Sequence, residues 1–290
     1  MQIVTNVPDL RQAINNWRLA GQRLAFVPTM GNLHDGHLKL VSAAKKHADK
    51  VIVSIFVNPT QFGPGEDFAS YPRTEQADQH KLSAAQTDLL FMPQVAEMYP
   101  TATKTVVSVA GVTEHYCGAS RPGHFDGVAT VVCKLFNMVQ PDLALFGLKD
   151  FQQLTVIRTM VRDLNIPIDI IGVDTVREAN GLAMSSRNGY LTDSQKTLAA
   201  NLYQILCSAR SAVLAGKQSY AAIEQQAVQD LQNIGLQPDY FAVCRQSDLA
   251  KAEQNELDLV ILAAVKLGAT RLIDNVYFSK ASTPNLAQAG

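Results

Sequence analysis

Apolar residues in the first half of this chain gather in short runs rich in Val, Ile and Phe, separated by stretches where they recur at helical spacing. Short runs read as buried strands and helical spacing as one face of a helix, so the alternation predicts a parallel sheet wrapped by helices. The expected strands are Gln2 to Val4, Leu24 to Pro28, Val51 to Val57, Leu89 to Met92, Leu143 to Phe146 and Ile168 to Val173. Helices are expected over Pro8 to Ala20, which stops at Gly21, over Leu38 to Ala48, and over Asp150 to Leu164. After residue 176 the pattern changes. Two long helices, Leu191 to Leu214 and Tyr220 to Ile234, precede three strand-like runs, Tyr240 to Cys244, Leu259 to Lys266 and Thr270 to Phe278. Thr192-x-x-Gln195 has the spacing of a capping box at the start of the first. The expected fold class is α/β, with a Rossmann-like parallel-sheet domain over 1–176. A smaller α+β lid domain with a short antiparallel sheet follows over 177–290. The tail Ser282 to Gly290, small and polar, reads as frayed.

Leu24 to His37 reads as a strand, a tight loop and a helix opened by His34-x-Gly36-His37. A helix start presents unpaired N–H groups and the positive end of its dipole, which together stabilise a polyphosphate. Gly36 lets backbone and ligand approach closely, and two imidazoles can donate hydrogen bonds to phosphate oxygens near neutral pH. The same spacing fits a metal pair. The nearest third ligands, His47 and His80, fall in segments that read as solvated helix faces.

Ligands in open α/β sheets gather beyond the carboxyl ends of the strands. Three strand-end loops carry polar groups to that place: Thr29 to His37, Asn58 to Phe62, and Gly147 to Asp150. They are predicted to share one cleft. Lys149 can reach a bound polyphosphate from there, and Gln61 offers a donor and an acceptor to a small polar substrate. Gln153 has two readings, because Asp150-x-x-Gln153 is capping-box spacing and the same helix start faces the cleft. Met184-Ser185-Ser186-Arg187 lies in a Gly- and Ser-rich loop between the two domains, where hydroxyls and a guanidinium can close over phosphates. No His–Asp pair is arranged to activate Ser185, which reads as a phosphate contact.

Composition narrows the function classes. With 25 Lys plus Arg against 26 Asp plus Glu, no net field favours nucleic acid or an anionic membrane, and neither is an expected partner. The apolar run Leu259 to Val265 is too short to span a bilayer, and Met1 to Asn6 carries no basic leader. Cys117, Cys133, Cys207 and Cys244 are scattered, as expected of reduced thiols in the cytoplasm, and Cys133 and Cys244 sit in apolar runs that read as buried.

Taken together, the motifs resemble the pantothenate synthetase family, the pantoate–β-alanine ligases of the HxGH nucleotidyltransferase superfamily. The resemblance covers Pro28-Thr29-Met30-Gly31 with the histidine motif, Phe56 to Phe62, Tyr71 to Thr74, Arg121-Pro122-x-His124-Phe125, Lys149-Asp150-x-x-Gln153, and Gly181 to Asn188. It implies an AMP-forming ligase that joins pantoate to β-alanine through pantoyl adenylate, releasing pyrophosphate, in coenzyme A precursor biosynthesis. ATP and Mg2+ are implied, as is a homodimer. It also implies an ATP site of Met30, Gly31, Asn32, Leu33, His34, Asp35, Gly36, His37, Gly147, Leu148, Lys149, Asp150, Val176, Met184, Ser185, Ser186 and Arg187. Within that set the catalytic residues would be His37, His34, Lys149 and Arg187, whose charge and hydrogen bonds suit in-line displacement at phosphorus. Gln61 and Gln153 would hold pantoate and β-alanine. Leu148 and Ala77 stand where the family commonly carries acidic residues, leaving Asp78 as the metal contact carried over from that segment. The rival readings are another HxGH nucleotidyltransferase, such as an aminoacyl-tRNA synthetase, and a nucleotide-binding regulator without chemistry. The chain has no basic RNA-binding extension to favour the former.

Overall fold

The structure, a computed structural model, describes residues 1–280. The expectation for Ser282 to Gly290 lies outside them. Contacts divide the described residues into two compact units, Met1–Glu178 with Met184–Gly189, and Ala179–Ala183 with 190–280.

The first unit is built on six parallel strands, β1 (Gln2–Val4), β2 (Leu24–Thr29), β3 (Lys50–Ile55), β4 (Leu89–Phe91), β5 (Leu143–Gly147) and β6 (Asp169–Val173), in the order β1-β4-β3-β2-β5-β6. Helices α1 (Val7–Leu19), α2 (Asp35–Ala44), α3 (Glu75–Ala84), α4 (Val95–Met98), α5 (Cys117–Ser120), α6 (His124–Val139) and α7 (Phe151–Asp163) connect the strands. Alternate residues of a strand face opposite sides, and β2 shows this directly. Ala25 and Val27 join Leu40, Val41 and Ala44 of α2 and Leu82 of α3 in one core, while Phe26 meets Phe136 of α6 edge-on at 6.4 Å.

Helices α2 and α6 differ most from expectation in this unit. Helix α2 opens at Asp35 rather than Leu38, because His34 caps it, and it ends at Ala44 rather than Ala48. Helix α6 was not expected. Its polar residues form only a narrow stripe, Asp126, Thr130, Lys134 and Asn137 at helical spacing, and the Val- and Thr-rich stretch Val128 to Val132 resembles strand sequence.

The second unit holds α8 (Asp193–Ala199), α9 (Asn201–Ala215), α10 (Tyr220–Asn233) and an antiparallel sheet of β7 (Gln237–Arg245), β8 (Asp258–Leu267) and β9 (Thr270–Ser279). Thr192 and Gln195 form the capping box. The single helix expected over Leu191 to Leu214 is interrupted at Ala200, where Asn201 Nδ2 donates to the carbonyls of Leu198 (2.9 Å) and Thr197 (3.4 Å). A side chain bonded to the preceding turn competes with the helical ladder. Cys244 is buried as expected, whereas Cys133 is only partly so. Among the described residues no helix is long and apolar enough to cross a membrane.

Candidate functional site

Strand β2 is where the connections diverge: the chain leaves it through α2 toward β3 on one side, and leaves β5 through α7 toward β6 on the other. That divergence opens a crevice at the carboxyl ends of the strands. A pocket occupies it, lined by the strand ends Pro28, Thr29, Phe56, Phe146, Gly147 and Val173, and every residue of its wall belongs to the first unit.

His34 is the N-cap of α2, and its Nδ1 accepts a hydrogen bond from the Gly36 N–H at 3.1 Å. His37 reaches back, its Nδ1 accepting from the His34 N–H at 3.3 Å, and the two rings lie 4.1 Å apart. This is a capping box made of imidazoles. With Nδ1 accepting in each neutral ring, Nε2 carries the proton and is left as a donor. Burial, reinforced by Lys149, lowers His34 to about 4; burial, reinforced by His34, lowers His37 to about 3. Both are therefore neutral at pH 7. Their contribution to a phosphate is a fixed N–H, and the cationic part of the expected neutralisation rests on Lys149 and Arg187, which line the same pocket.

Arg187 is held by Asp67, with Nη2 to Oδ1 at 2.9 Å and Nε to Oδ2 at 3.1 Å, and its guanidinium lies 6.0 Å from the Tyr71 ring. Burial opposes its charge, but the Asp67 carboxylate outweighs this and raises its pKa further. Within the first unit the Met184–Arg187 segment is fastened at two places. The Met184 N–H donates to the Val176 carbonyl at 2.9 Å, and Ser186 and Asn32 exchange hydrogen bonds, Ser186 Oγ to the Asn32 carbonyl (3.2 Å) and Asn32 Nδ2 to the Ser186 carbonyl (3.3 Å).

Gln61 closes the 3₁₀ turn Pro59–Gln61 after β3 and is buried against the pocket. Its Nε2 rests on Met30 Sδ at 3.0 Å and its Oε1 accepts from buried Asn58 at 3.3 Å. Gln153 lines the pocket too, and Asp150 makes no side-chain cap hydrogen bond, so the capping-box reading of this pair is corrected. Val128, Val131, Val132 and Leu135 of α6, the helix packed on the Pro59–Gln61 turn, complete the wall with an apolar surface.

The profile of the family described as pantoate-beta-alanine ligase matches residues 2–277. The chain belongs to the pantoate–β-alanine ligase family. A pantothenate synthetase from Methylococcus capsulatus is 55% identical over 98% of this chain and 100% of its own length; one from Pseudomonas fluorescens is 56% identical over 96% and 99%. Among solved structures, the Thermus thermophilus pantothenate synthetase superposes with a TM-score of 0.89 at 44% identity, covering 95% of this chain and 99% of that one. The Francisella tularensis pantoate-β-alanine ligase, solved complexed with beta-gamma ATP and beta-alanine, gives 0.81 at 34% identity over 98% and 99%.

Of the residues expected at a ligase site, Met30, His34, Gly36, His37, Gln61, Gly147, Lys149, Asp150, Gln153, Val176, Met184, Ser185, Ser186 and Arg187 meet in this one pocket. Gly31, Asn32, Leu33, Asp35 and Leu148 are not part of its wall. Leu33 is buried, and the Leu148 side chain lies over Gly172. Asp78 is displaced from its expected role as well. It is buried beneath the loop, where its carboxylate accepts from the main-chain N–H groups of Asn32 and Leu33, both at 2.8 Å, and from Thr74 Oγ1 at 3.1 Å. A carboxylate so occupied shapes the histidine loop and does not line the pocket. Asp67 and the α6 wall lie outside the expected site residues and Tyr71 was expected only as part of a motif; the largely apolar stretch Val128 to Cys133 is the signal for the wall.

Proposed function

We propose that the chain condenses pantoate with β-alanine to pantothenate at the expense of ATP, through pantoyl adenylate. The observation that carries this reading is one pocket combining the fixed N–H donors His34 and His37, the cations Lys149 and Arg187, and the amides Gln61 and Gln153 with an apolar wall. A branched hydroxy acid needs apolar contact for its methyl groups and paired polar groups for its oxygens, and the pocket supplies both. The Francisella relative's complex with beta-gamma ATP and beta-alanine supports the same assignment.

The pantoate carboxylate attacks the α-phosphorus of ATP and pyrophosphate leaves. The β-alanine amine then attacks the acyl carbon, the acyl–oxygen bond breaks, and AMP departs with the bridging oxygen. Gln61 and Gln153 hold pantoate, while His34, His37, Lys149 and Arg187 meet the charge that builds on the phosphates. Among the described residues no cluster of three His, Cys, Asp or Glu is placed to hold a metal. The pocket carboxylates Asp150 and Asp174 suit a magnesium ion that arrives on the nucleotide and keeps most of its waters. Magnesium supplies charge neutralisation on the polyphosphate when bound.

The reading carries a homodimer, a cytoplasmic location and a lid role for 177–290. Sedimentation tests the first and cell fractionation the second. Protection of Gly181 to Asn188 from hydrogen exchange by Mg-ATP tests the third. The reaction itself is tested by measuring AMP and pyrophosphate with each of ATP, pantoate and β-alanine omitted in turn, using pantoate labelled with heavy oxygen in its carboxylate. One labelled oxygen is expected in AMP and none in pyrophosphate. ADP with labelled inorganic phosphate would show an acyl-phosphate route and overturn the adenylate reading.

A further inference from the structure

Behind Gln61, on the side away from the pocket, lies a buried polar chain that the reaction as described does not use. The Glu66 carboxylate accepts from Arg121 at 2.6 Å and 2.7 Å. Arg121 Nη1 stands 2.9 Å from His124 Nε2, and His124 Nδ1 stands 2.8 Å from the Gln61 carbonyl oxygen. Arg121 Nη2 also reaches that oxygen at 3.4 Å. His124 is 9% exposed, and the Arg121 and Glu66 side chains only 16% and 25%.

The proton positions in this chain are dictated by its ends. A carbonyl oxygen can only accept, so His124 Nδ1 carries the proton, and a guanidinium can only donate, so His124 Nε2 presents its lone pair. The ring must stay neutral to join the two. Burial and the adjacent Arg121 cation keep it so, lowering it to about 4. Taking a guanidinium, a carboxylate and an imidazole out of water is costly, and apolar packing alone would have joined the same elements more cheaply. What the polar chain adds is direction: it fixes one carbonyl oxygen, and through it the peptide plane and Cα of the residue whose amide faces the pocket. The helix side is equally constrained, since a Cβ at Gly127 would stand 2.4 Å from the Thr60 carbonyl oxygen and 2.7 Å from Gln61 Cα.

We propose that Glu66, Arg121 and His124 are positioning residues for the pantoate site, holding the main chain of Gln61 from behind and thereby aiming its side-chain amide into the pocket. This rests on the proposed function. A positioning role separates substrates in a way that general destabilisation does not, because the hydrogen bonds of His34, His37 and Arg187 run to one another, to Gly36, Asp67 and Ser185, and not to Arg121 or His124.

The test is steady-state kinetics on the intact protein with pantoate and Mg-ATP varied separately, alongside thermal melting. His124→Phe, which removes both ring nitrogens, is expected to raise the pantoate KM about tenfold, the size of one lost buried hydrogen bond. Its Mg-ATP KM should stay within about twofold of wild type. His124→Asn, which keeps an N–H at the place of Nδ1, is expected to recover most of the pantoate affinity. Should His124→Phe fail to fold, Arg121→Lys, which keeps the charge but loses the fork that reaches His124 and the Gln61 carbonyl, is read by the same criteria. An unchanged pantoate KM, equal rises in both KM values, or no recovery in His124→Asn would each overturn the positioning role. A wild-type protein that forms AMP normally while the variants match it sinks this inference alone. A wild-type protein that forms no AMP with pantoate sinks the functional reading, and this inference with it.

Discussion

The two histidines of the nucleotide loop each do two tasks with two nitrogens. Nδ1 completes the cap of α2 and Nε2 is left to donate. These tasks are separable. His37→Asn keeps an acceptor near the place of Nδ1 but removes the outer N–H, so stability should stay near wild type while turnover falls on the order of a hundredfold, the usual cost of one oxyanion donor. His37→Ala should lose both, and melting measured beside rapid-quench adenylation distinguishes the two variants. Asp78 gives the opposite pattern. Asp78→Ala strands the N–H groups of Asn32 and Leu33 in a buried place and should destabilise by on the order of 2 to 4 kcal/mol in urea unfolding, with an unchanged magnesium requirement per folded molecule. That residue shows where single-residue reading reaches its limit. His34, His37, Lys149, Gln61 and Arg187 were legible because their chemistry points outward to a ligand. Asp78 and Asp67 have ordinary carboxylates whose partners, Asn32, Leu33 and Arg187, are fixed only by the folded chain.

Among elements, every strand of both sheets was legible to within a few residues, since buried strands are short and uniformly apolar. Helix α6 was hidden because its Val- and Thr-rich stretch Val128 to Val132 reads as a strand of the same kind, despite the polar stripe of Asp126, Lys134 and Asn137. Its consequence is local: Gly127 lets α6 approach the Pro59–Gln61 turn closely. Gly127→Ala should push the two apart, costing about 1 to 3 kcal/mol of stability by overpacking. It should also raise the pantoate KM, which parallel melting and kinetic measurements would reveal. Helix α7 supplies a contrasting case. Gln153 makes no cap there, so Gln153→Ala should leave the melting temperature unchanged and raise the pantoate KM. A drop in stability without a kinetic effect would restore the capping reading.

For the molecule as a whole, His34, His37 and His124 are each lowered from an ordinary 6.5, to about 4, 3 and 4, by burial first in every case. As pH falls below about 6.5 the unfolded chain takes up protons at these positions and the folded chain does not, so their stabilisation is complete above that pH and declines toward pH 4. The urea midpoint should therefore fall on acidification, and less steeply in His124→Asn than in wild type; equal slopes would count against the neutral, buried state of His124. The order of pairing bears on how the molecule is made. Gln2 pairs with Leu89 and Ala25 with Leu143, whereas Leu267 pairs with Thr270 across a tight turn. Contacts distant in sequence form slowly and adjacent ones quickly. The parallel sheet thus waits for β6, and the pocket for Met184–Arg187, to leave the ribosome, while the antiparallel meander that follows them needs only its own neighbours to close.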